Sequence, residues 1–256
     1  CLAQSTWQAP QLQAESSEDA RPGFDSMNAS EYRDSDEVMA SKVQLAVDLM
    51  RRSRHTVAYT GAGISTAAGI GDYATKAGAS IAPQKRSDTD ALEAQPTLAH
   101  HALTAMHRAR LLHHWVQQNH DGLPQKAGFP QQDINEVHGA WFDPSNPVVH
   151  FGAKIRPDLF EWMLVSEDMC DLVLAVGTAL CDTPSTADRL AVTAASRLGL
   201  IIISLQRTRL DHLAAVKFYG LIDDVLQQIA AGLGVAWDSE ASGLLYPPLE
   251  QPTLNN

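Results

Sequence analysis

The chain has 256 residues, of which 45% are hydrophobic and 19% are charged, and this composition fits one soluble α/β domain with a tail. Its formal net charge of -11 argues against nucleic acid as a partner, because no basic stripe is present to neutralise phosphates. The longest apolar run, residues 198–203, is too short to cross a bilayer, so no transmembrane segment is predicted. The cysteines show no CxxC spacing, which argues against a thiolate metal site and a disulfide framework.

The chain divides by composition into three parts. Residues 1–33 are rich in Gln, Ser, Glu, Asp and Pro and show no hydrophobic period. We predict that they form an extended arm that is either disordered or wrapped around a partner. Residues 34–237 carry the periodic pattern of a folded domain. Residues 238–256 are rich in proline and are predicted to be an irregular tail.

Within the domain, strand patterns and helix patterns alternate along the chain. Asp34 is predicted to cap a first amphipathic helix that ends near Arg52. Near-continuous apolar strands that alternate with helices indicate a Rossmann-like α/β fold, a doubly wound parallel sheet with helices on both faces. The predicted strands are 55–59, 112–117, 134–137, 171–176, 200–205 and 216–219, and the later helices are 96–110, one that begins at Pro157, 185–198 and 221–233.

The first predicted strand runs into a turn that contains two glycines, Gly61 and Gly63. Glycine lacks the Cβ atom that would keep a backbone away from a ligand, and a helix N-terminus after such a turn is typical of a phosphate site. The full dinucleotide fingerprint is absent, because Gly69 lies too far along the chain. The pattern is therefore also consistent with an ordinary tight turn between a strand and a helix.

Three polar loops follow predicted strands and are expected to meet at one edge of the sheet, where parallel strands place their carboxyl ends. They are the glycine loop at 61–63, the segment Gln-Asn-His-Asp-Gly-Leu at 118–123, and Gly177 with Thr178. His138 ends a short strand between them, and imidazole titrates near neutral pH, as general-base catalysis requires. A lone histidine before a glycine is more often structural, so both roles are open from the residues alone.

Eight short segments occur in a fixed order: Gly-Ala-Gly-Ile-Ser at 61–65, Gly-Ile-Gly-Asp-Tyr at 69–73, Pro-Thr-Leu-Ala-His at 96–100, Gln-Asn-His-Asp-Gly-Leu at 118–123, Lys-Ala-Gly at 126–128, Val-His-Gly at 137–139, Phe-Gly at 151–152 and Val-Gly-Thr-Ala-Leu at 176–180. Together they resemble the sirtuin family of NAD-dependent protein lysine deacylases, over about residues 36–235. The resemblance implies a Rossmann-like large domain, NAD as the cofactor, and an acyl-lysine protein or peptide as the partner. Sirtuins also have a small domain that holds a structural zinc ion.

The resemblance implies roles for individual residues. His138 matches the catalytic base, which deprotonates a ribose hydroxyl after the acyl-lysine oxygen has displaced nicotinamide. Asn119 is assigned to the catalytic group with it, while Gly177 and Thr178 match the loop on the adenosine side. The implied cofactor-binding residues are Gly61, Ala62, Gly63, Ser65, Asp72, Tyr73, Gln118, Asp121, Gly177 and Thr178.

The sequence also departs from the family pattern. Ala74 stands where the family has an arginine that organises the cofactor loop, and His120 stands where an apolar residue borders the nicotinamide pocket. The short stretch from Gly139 to Phe151 lacks the zinc-binding cysteines of the family, so we expect a reduced small domain and no metal site. Further departures are Ala153, Ala179 and Ser204.

These observations leave two functions open. The first is an NAD-consuming enzyme, either a deacylase or a simpler NAD hydrolase, which His138, Asn119 and Asp121 favour. The second is a catalytically inactive structural subunit of a larger protein assembly that still binds NAD or ADP-ribose, which the departures and the polar arm favour. A redox dehydrogenase is less well supported, because no acidic ribose anchor follows the glycines at the expected distance. We expect an intracellular protein and leave its compartment open, whether mitochondrial or another organelle.

Overall fold

The chain folds into an α/β domain built on one six-stranded parallel sheet. A separate antiparallel pair, β1 (Gln11–Ala14) with β2 (Glu31–Arg33), lies in the amino-terminal arm. The computed structural model describes residues 7–72, 74–76, 78–83, 92–150, 153–181 and 188–237.

The central sheet consists of short strands whose side chains are almost all buried, as expected for a sheet covered on both faces. The strands are β3 (Thr56–Thr60), β4 (His114–Gln117), β5 (Ile134–Glu136), β6 (Leu172–Val176), β7 (Gly199–Ile203) and β8 (Val216–Phe218). Their spatial order is β5-β4-β3-β6-β7-β8, which is the Rossmann order 3-2-1-4-5-6 when this sheet is numbered by itself. The predicted Rossmann-like fold is therefore confirmed.

Helices cover both faces of the sheet. One core packs α1, α2 and α6 against the sheet, and a second core packs α4 and α5 against the other face. The described α-helices are α1 (Asp36–Arg52), α2 (Leu98–Arg108), α3 (Leu123–Lys126), α4 (Pro157–Met169), α5 (Asp188–Ala195) and α6 (Ile222–Leu233). Among these helices, none is long and apolar enough to span a membrane.

The strand order reverses between the two central strands, β3 and β6. In such sheets a crevice forms outside the carboxyl ends of the strands at the reversal, and ligands bind there. The N–H group of Gly61, after β3, donates to the carbonyl of Val176 at 3.1 Å. The N–H group of Gly63 donates to the carbonyl of Gly177, after β6, at 2.9 Å. The fold therefore brings two of the predicted cofactor loops side by side.

The start of α1 differs from the prediction. Its N-cap is Ser35, whose hydroxyl accepts a hydrogen bond from the N–H group of Val38 at 3.4 Å. Asp34 instead accepts from the ammonium group of Lys42, with both carboxylate oxygens at 2.7 Å. Lys42 is buried, and a buried ammonium without a carboxylate partner is costly, so Asp34 pairs with Lys42 rather than capping the helix.

The arm lies against the domain in the part of it that is described. The N–H group of Tyr32 donates to the carbonyl of Leu205 at 2.9 Å, and that of Asp34 donates to the carbonyl of Tyr219 at 2.8 Å. The carboxyl-terminal end of the arm is thus hydrogen-bonded to the segments that follow β7 and β8. Residues 1–6 and the predicted tail at 238–256 lie outside the described residues.

Candidate functional site

The glycines of the two central loops are packed against each other. A Cβ atom on Gly61 would lie 2.9 Å from the Gly177 carbonyl oxygen, and one on Gly63 would lie 2.8 Å from the Gly177 Cα. Gly177 has a φ of +61°, and a Cβ atom there would lie 2.5 Å from the nitrogen of Ile64. The sequence pattern indicates that the glycines serve ligand approach, whereas the structure also requires them for the contact between the loops.

A cavity of about 220 Å³ opens beside these loops. Four of the predicted cofactor-binding residues line it, namely Gly63, Asp72, Gly177 and Thr178. Arg207 is the only basic side chain among the described lining residues. The other polar lining residues are Thr66, Thr75, Ser204, Gln206, Thr208, Asp223 and Asp224. Hydroxyls, carboxylates and glycine backbone at a switch point are the groups that a dinucleotide site uses for phosphate and ribose.

Ser65, Asn119 and Asp121 form one hydrogen-bonded group next to the glycine loop. The Ser65 hydroxyl donates to Asp121 Oδ2 at 2.7 Å, and the Asn119 amide donates to Ser65 Oγ at 3.1 Å and to the Gly61 carbonyl at 3.2 Å. Asp121 Oδ1 accepts from the N–H group of Leu123 at 3.0 Å. Burial raises the pKa of Asp121, and these hydrogen bonds oppose the rise. The group fastens the 118–123 loop to the glycine loop.

Gln118 connects the cavity to His138. Its side-chain amide donates to the Thr178 hydroxyl at 3.1 Å, and its backbone carbonyl lies 3.2 Å from Nδ1 of His138. Because a carbonyl oxygen only accepts, Nδ1 carries the proton and Nε2 keeps the lone pair in the neutral ring. The His138 carbonyl accepts from the N–H group of Val149 at 2.8 Å, so backbone groups hold the residue on two sides.

His120 ties the 118–123 loop to the shortened segment that follows β5. Its Nδ1 lies 2.9 Å from the Gly139 carbonyl, and its own carbonyl accepts from the N–H group of Trp141 at 2.9 Å. The two rings of His120 and Trp141 are 6.0 Å apart between centroids. Gly139 has a φ of +86°, and a Cβ atom there would collide with the carbonyl of Pro147. Only glycine fits this tight turn.

Glu136 is a buried carboxyl at the end of β5, and the sequence motifs indicate no role for it. It is 2% exposed, and its Oε2 accepts from the Gln131 side-chain amide at 3.2 Å. Burial raises the pKa of Glu136 from its ordinary 4.5 to about 7. On the neighbouring strand Gln117, its partner in register, has both amide atoms buried and without a hydrogen-bond partner in the described chain. The available signal was a carboxyl residue directly before Val137 and His138 in a short predicted strand.

The chain has relatives among characterised proteins, although no protein-family model matches it. It is 31% identical over 252 residues to NAD-dependent protein deacetylase sirtuin-7 of Mus musculus, covering 80% of this chain and 63% of that protein. It is 28% identical over 247 residues to NAD-dependent protein deacetylase SRT1 of Arabidopsis thaliana, covering 80% of this chain and 52% of that protein. The chain belongs to the sirtuin family.

The fold comparison agrees with this assignment. This sirtuin is similar to a solved structure of Sir2 with a p53 peptide and NAD+, with 23% sequence identity and a TM-score of 0.62. The match covers 75% of this chain and 98% of the Sir2 chain. At this identity the likeness concerns the fold alone. The present chain spans 63% of the length of the mouse relative and 52% of that of the Arabidopsis relative.

The remaining predicted residues of this sirtuin have different surroundings. Ala62 begins a 3-10 helix, Ala62–Ala68, and is half-buried, while Ser65 is fully buried and bonded to Asp121. Tyr73 lies outside the described residues. In the described ranges, no group of three His, Cys, Asp or Glu side chains is arranged to hold a metal ion. The cofactor and catalytic roles of the named residues stay predictions.

Proposed function

We propose that this sirtuin binds NAD at the switch point of its sheet and uses His138 as the base in NAD-dependent protein deacylation. The observation that carries the proposal is the position of Gln118, which is hydrogen-bonded to Thr178 in the cavity wall and to the ring of His138. The cavity and the candidate base therefore belong to one hydrogen-bonded unit. The names of the two relatives, both NAD-dependent protein deacetylases, support the same activity.

The lining of the cavity suits the adenosine and phosphate portion of NAD. Glycine backbone and the hydroxyls of Thr66 and Thr178 offer donors for phosphate oxygens, and the carboxylate of Asp72 offers an acceptor for ribose hydroxyls. We assign the nicotinamide-ribose end to Gln118 and Asn119, beyond Thr178. When bound, NAD would supply the ribose carbon to which the acyl-lysine oxygen bonds as the bond to nicotinamide breaks and free nicotinamide leaves.

His138 then has one task, the acceptance of a proton from a ribose hydroxyl at Nε2. The Gln118 carbonyl accepts from Nδ1–H, which keeps the ring in the required tautomer and stabilises the imidazolium that forms. The partner is an acyl-lysine protein or peptide. General-base catalysis of this kind contributes about 100-fold to 10,000-fold to a rate.

Nicotinamide release, measured with and without an acetyl-lysine peptide, tests the proposal. We expect steady-state release that depends on the peptide and falls by about 100-fold or more in His138→Ala, because each turnover is completed only by the proton transfer that follows nicotinamide loss. Binding of ADP-ribose to His138→Ala, measured by calorimetry, should stay within about threefold of the wild type, since the cavity wall is intact. His212→Ala, which removes an exposed histidine, is the matched control.

Each other outcome has a defined meaning. Release without peptide would replace deacylation by NAD hydrolysis. ADP-ribose binding with no release would support the alternative, an inactive structural subunit that retains the cofactor site. Full activity in His138→Ala would remove His138 from the mechanism, and no binding of millimolar ADP-ribose or NAD would contradict both versions.

A further inference from the structure

The amino-terminal arm covers one end of the cavity. Ala20 of the arm is 2% exposed and lines the cavity together with the cofactor loops. It is held there by a closed turn, in which the N–H group of Ala20 donates to the carbonyl of Met27 at 2.9 Å. The N–H group of Ala29 donates back to the carbonyl of Glu18 at 2.8 Å. The arm is therefore part of the surface that a bound ligand would meet.

Glu31, at the start of β2, holds one wall of the cavity through its side chain. The residue is 0% exposed. Its Oε1 accepts from the Ser80 hydroxyl at 2.5 Å, and its Oε2 accepts from the N–H group of Ile81 at 2.8 Å. The next two residues, Ala82 and Pro83, line the cavity. A buried carboxylate is costly unless it is hydrogen-bonded, so the 80–83 segment and Glu31 depend on each other.

The backbone of the same residue contacts a second part of the cavity lining. Glu31 forms an antiparallel bridge with Gln206, and the N–H group of Tyr32 donates to the carbonyl of Leu205 at 2.9 Å. Leu205 and Gln206 both line the cavity. From the core side, the buried ammonium of Lys217 donates to the Gln206 carbonyl at 2.9 Å. One residue of the arm thus connects two walls that are far apart in the sequence.

We propose that the amino-terminal arm is a working part of the cofactor site, with Glu31 as the positioning residue that holds the 80–83 wall and the 204–208 wall at a fixed spacing. This inference rests on the proposed NAD function. Without Glu31, the 80–83 wall loses two hydrogen bonds and must be ordered at the moment of binding, which costs affinity. The affinity lost is that of the cavity for the adenosine portion of the ligand.

Calorimetric titration with ADP-ribose compares the wild type with Glu31→Ala and Glu31→Gln. We expect about tenfold weaker binding in Glu31→Ala, because two hydrogen bonds to a charged group are lost. Glu31→Gln should bind within about threefold of the wild type, because its amide oxygen can accept from Ile81 and its amide nitrogen can donate to Ser80. Glu15→Ala, an exposed carboxylate on the same arm, is the control and should bind normally.

Amide hydrogen exchange, measured without ligand, reports how well the 80–83 wall is ordered. Segment 78–83 should exchange faster in Glu31→Ala than in the wild type. Faster exchange with unchanged ADP-ribose affinity would overturn the inference and leave the proposed function intact. Failure of the wild type to bind ADP-ribose would overturn the proposed function, and the inference with it.

A second variant covers the case in which Glu31→Ala does not fold. Ser80→Ala removes one donor from a half-buried position and leaves the carboxylate bonded to Ile81. We expect about threefold weaker ADP-ribose binding from it. Wild-type affinity in folded Ser80→Ala would contradict a positioning role for this hydrogen-bond pair.

Discussion

Both ends of the central sheet hold buried or half-buried ionisable side chains. Burial favours the neutral form at each end, and it therefore moves the pKa values of the two ends in opposite directions. At the carboxyl end the groups are acids, and burial raises the pKa of Asp121 and raises that of Glu136 to about 7. At the amino end they are imidazoles, and burial, with His113 and His114 nearby, lowers the pKa of His55 to about 4. Rising pH therefore destabilises the first end, and falling pH destabilises the second.

The ends also differ in how their polar groups are held. At the carboxyl end, Asp121 accepts hydrogen bonds from a side chain and from the backbone. At the amino end, the His55 ring stacks on the His113 ring at 4.7 Å, and His55 Nε2 and His114 Nδ1 have no hydrogen-bond partner within the described part of the chain. The carboxyl end also has buried atoms without a partner among the described residues, on Gln117, so what sets this end apart is the cavity that its loops line.

The largest expected effect comes from breaking the loop contact at the carboxyl end. Gly177→Ala adds a Cβ atom 2.5 Å from the Ile64 nitrogen at a φ of +61°. We expect a loss of roughly 3 kcal/mol in the free energy of unfolding, measured in urea, and loss of ADP-ribose binding. Gly78→Ala, which meets nothing within 4 Å, is the control. Unchanged stability in Gly177→Ala would contradict the packed contact between the loops.

A neutral replacement of Glu136 sharpens the comparison at the same end. The folded pKa, about 7, lies above the ordinary 4.5, so the native state binds more protons between these values and loses stability as pH rises through them. The loss amounts to roughly 3 kcal/mol, and Glu136→Gln should remove it. Unfolding in urea at about pH 5 and about pH 8 measures the change. Glu161→Gln, an exposed carboxyl, should retain the wild-type slope.

The smallest expected effect lies at the amino end. The folded pKa of His55, about 4, lies below the ordinary 6.5, so the unfolded state binds more protons in this window and stability falls as pH falls. His55→Gln should flatten the dependence of Tm on pH between these values. Solvent screens this half-buried ring, so the effect is modest. The control is His150→Gln, which replaces an exposed ring. If Tm depends on pH equally steeply in His55→Gln and in this control, the low pKa assigned to His55 is contradicted.

Much of the fold followed from local patterns. The apolar run predicted at 171–176 is β6 (Leu172–Val176), and the helix predicted from Pro157 is α4 (Pro157–Met169). The cap of α1 was wrong because Asp34 serves a buried lysine eight residues along the chain, a demand that capping patterns do not contain. The meeting of the cofactor loops was predictable in outline, since parallel strands end on one side.

Fewer details of the candidate site than of the fold could be predicted from the sequence. The motifs identify Gln118 and His138, but a motif does not show that the Gln118 carbonyl selects the tautomer of the His138 ring. No motif gives Glu136 a role, because the free-energy cost of a buried carboxyl depends on what covers it. The arm illustrates the same limit, since a polar composition without periodicity left disorder and wrapping open and did not predict that Ala20 and Glu31 would be buried.

By itself the sequence determined the alternation of strands and helices, the fold class, the family and the loops that follow each strand. These properties depend on hydrophobic period, on glycine positions and on ordered motifs, all of which are local. Only the tertiary structure decided that Gly61 and Gly63 pack on Gly177, and that Glu31 connects Ser80 with Gln206. Such contacts join distant parts of the chain, and their energies exist only when the sheet and the arm have come together.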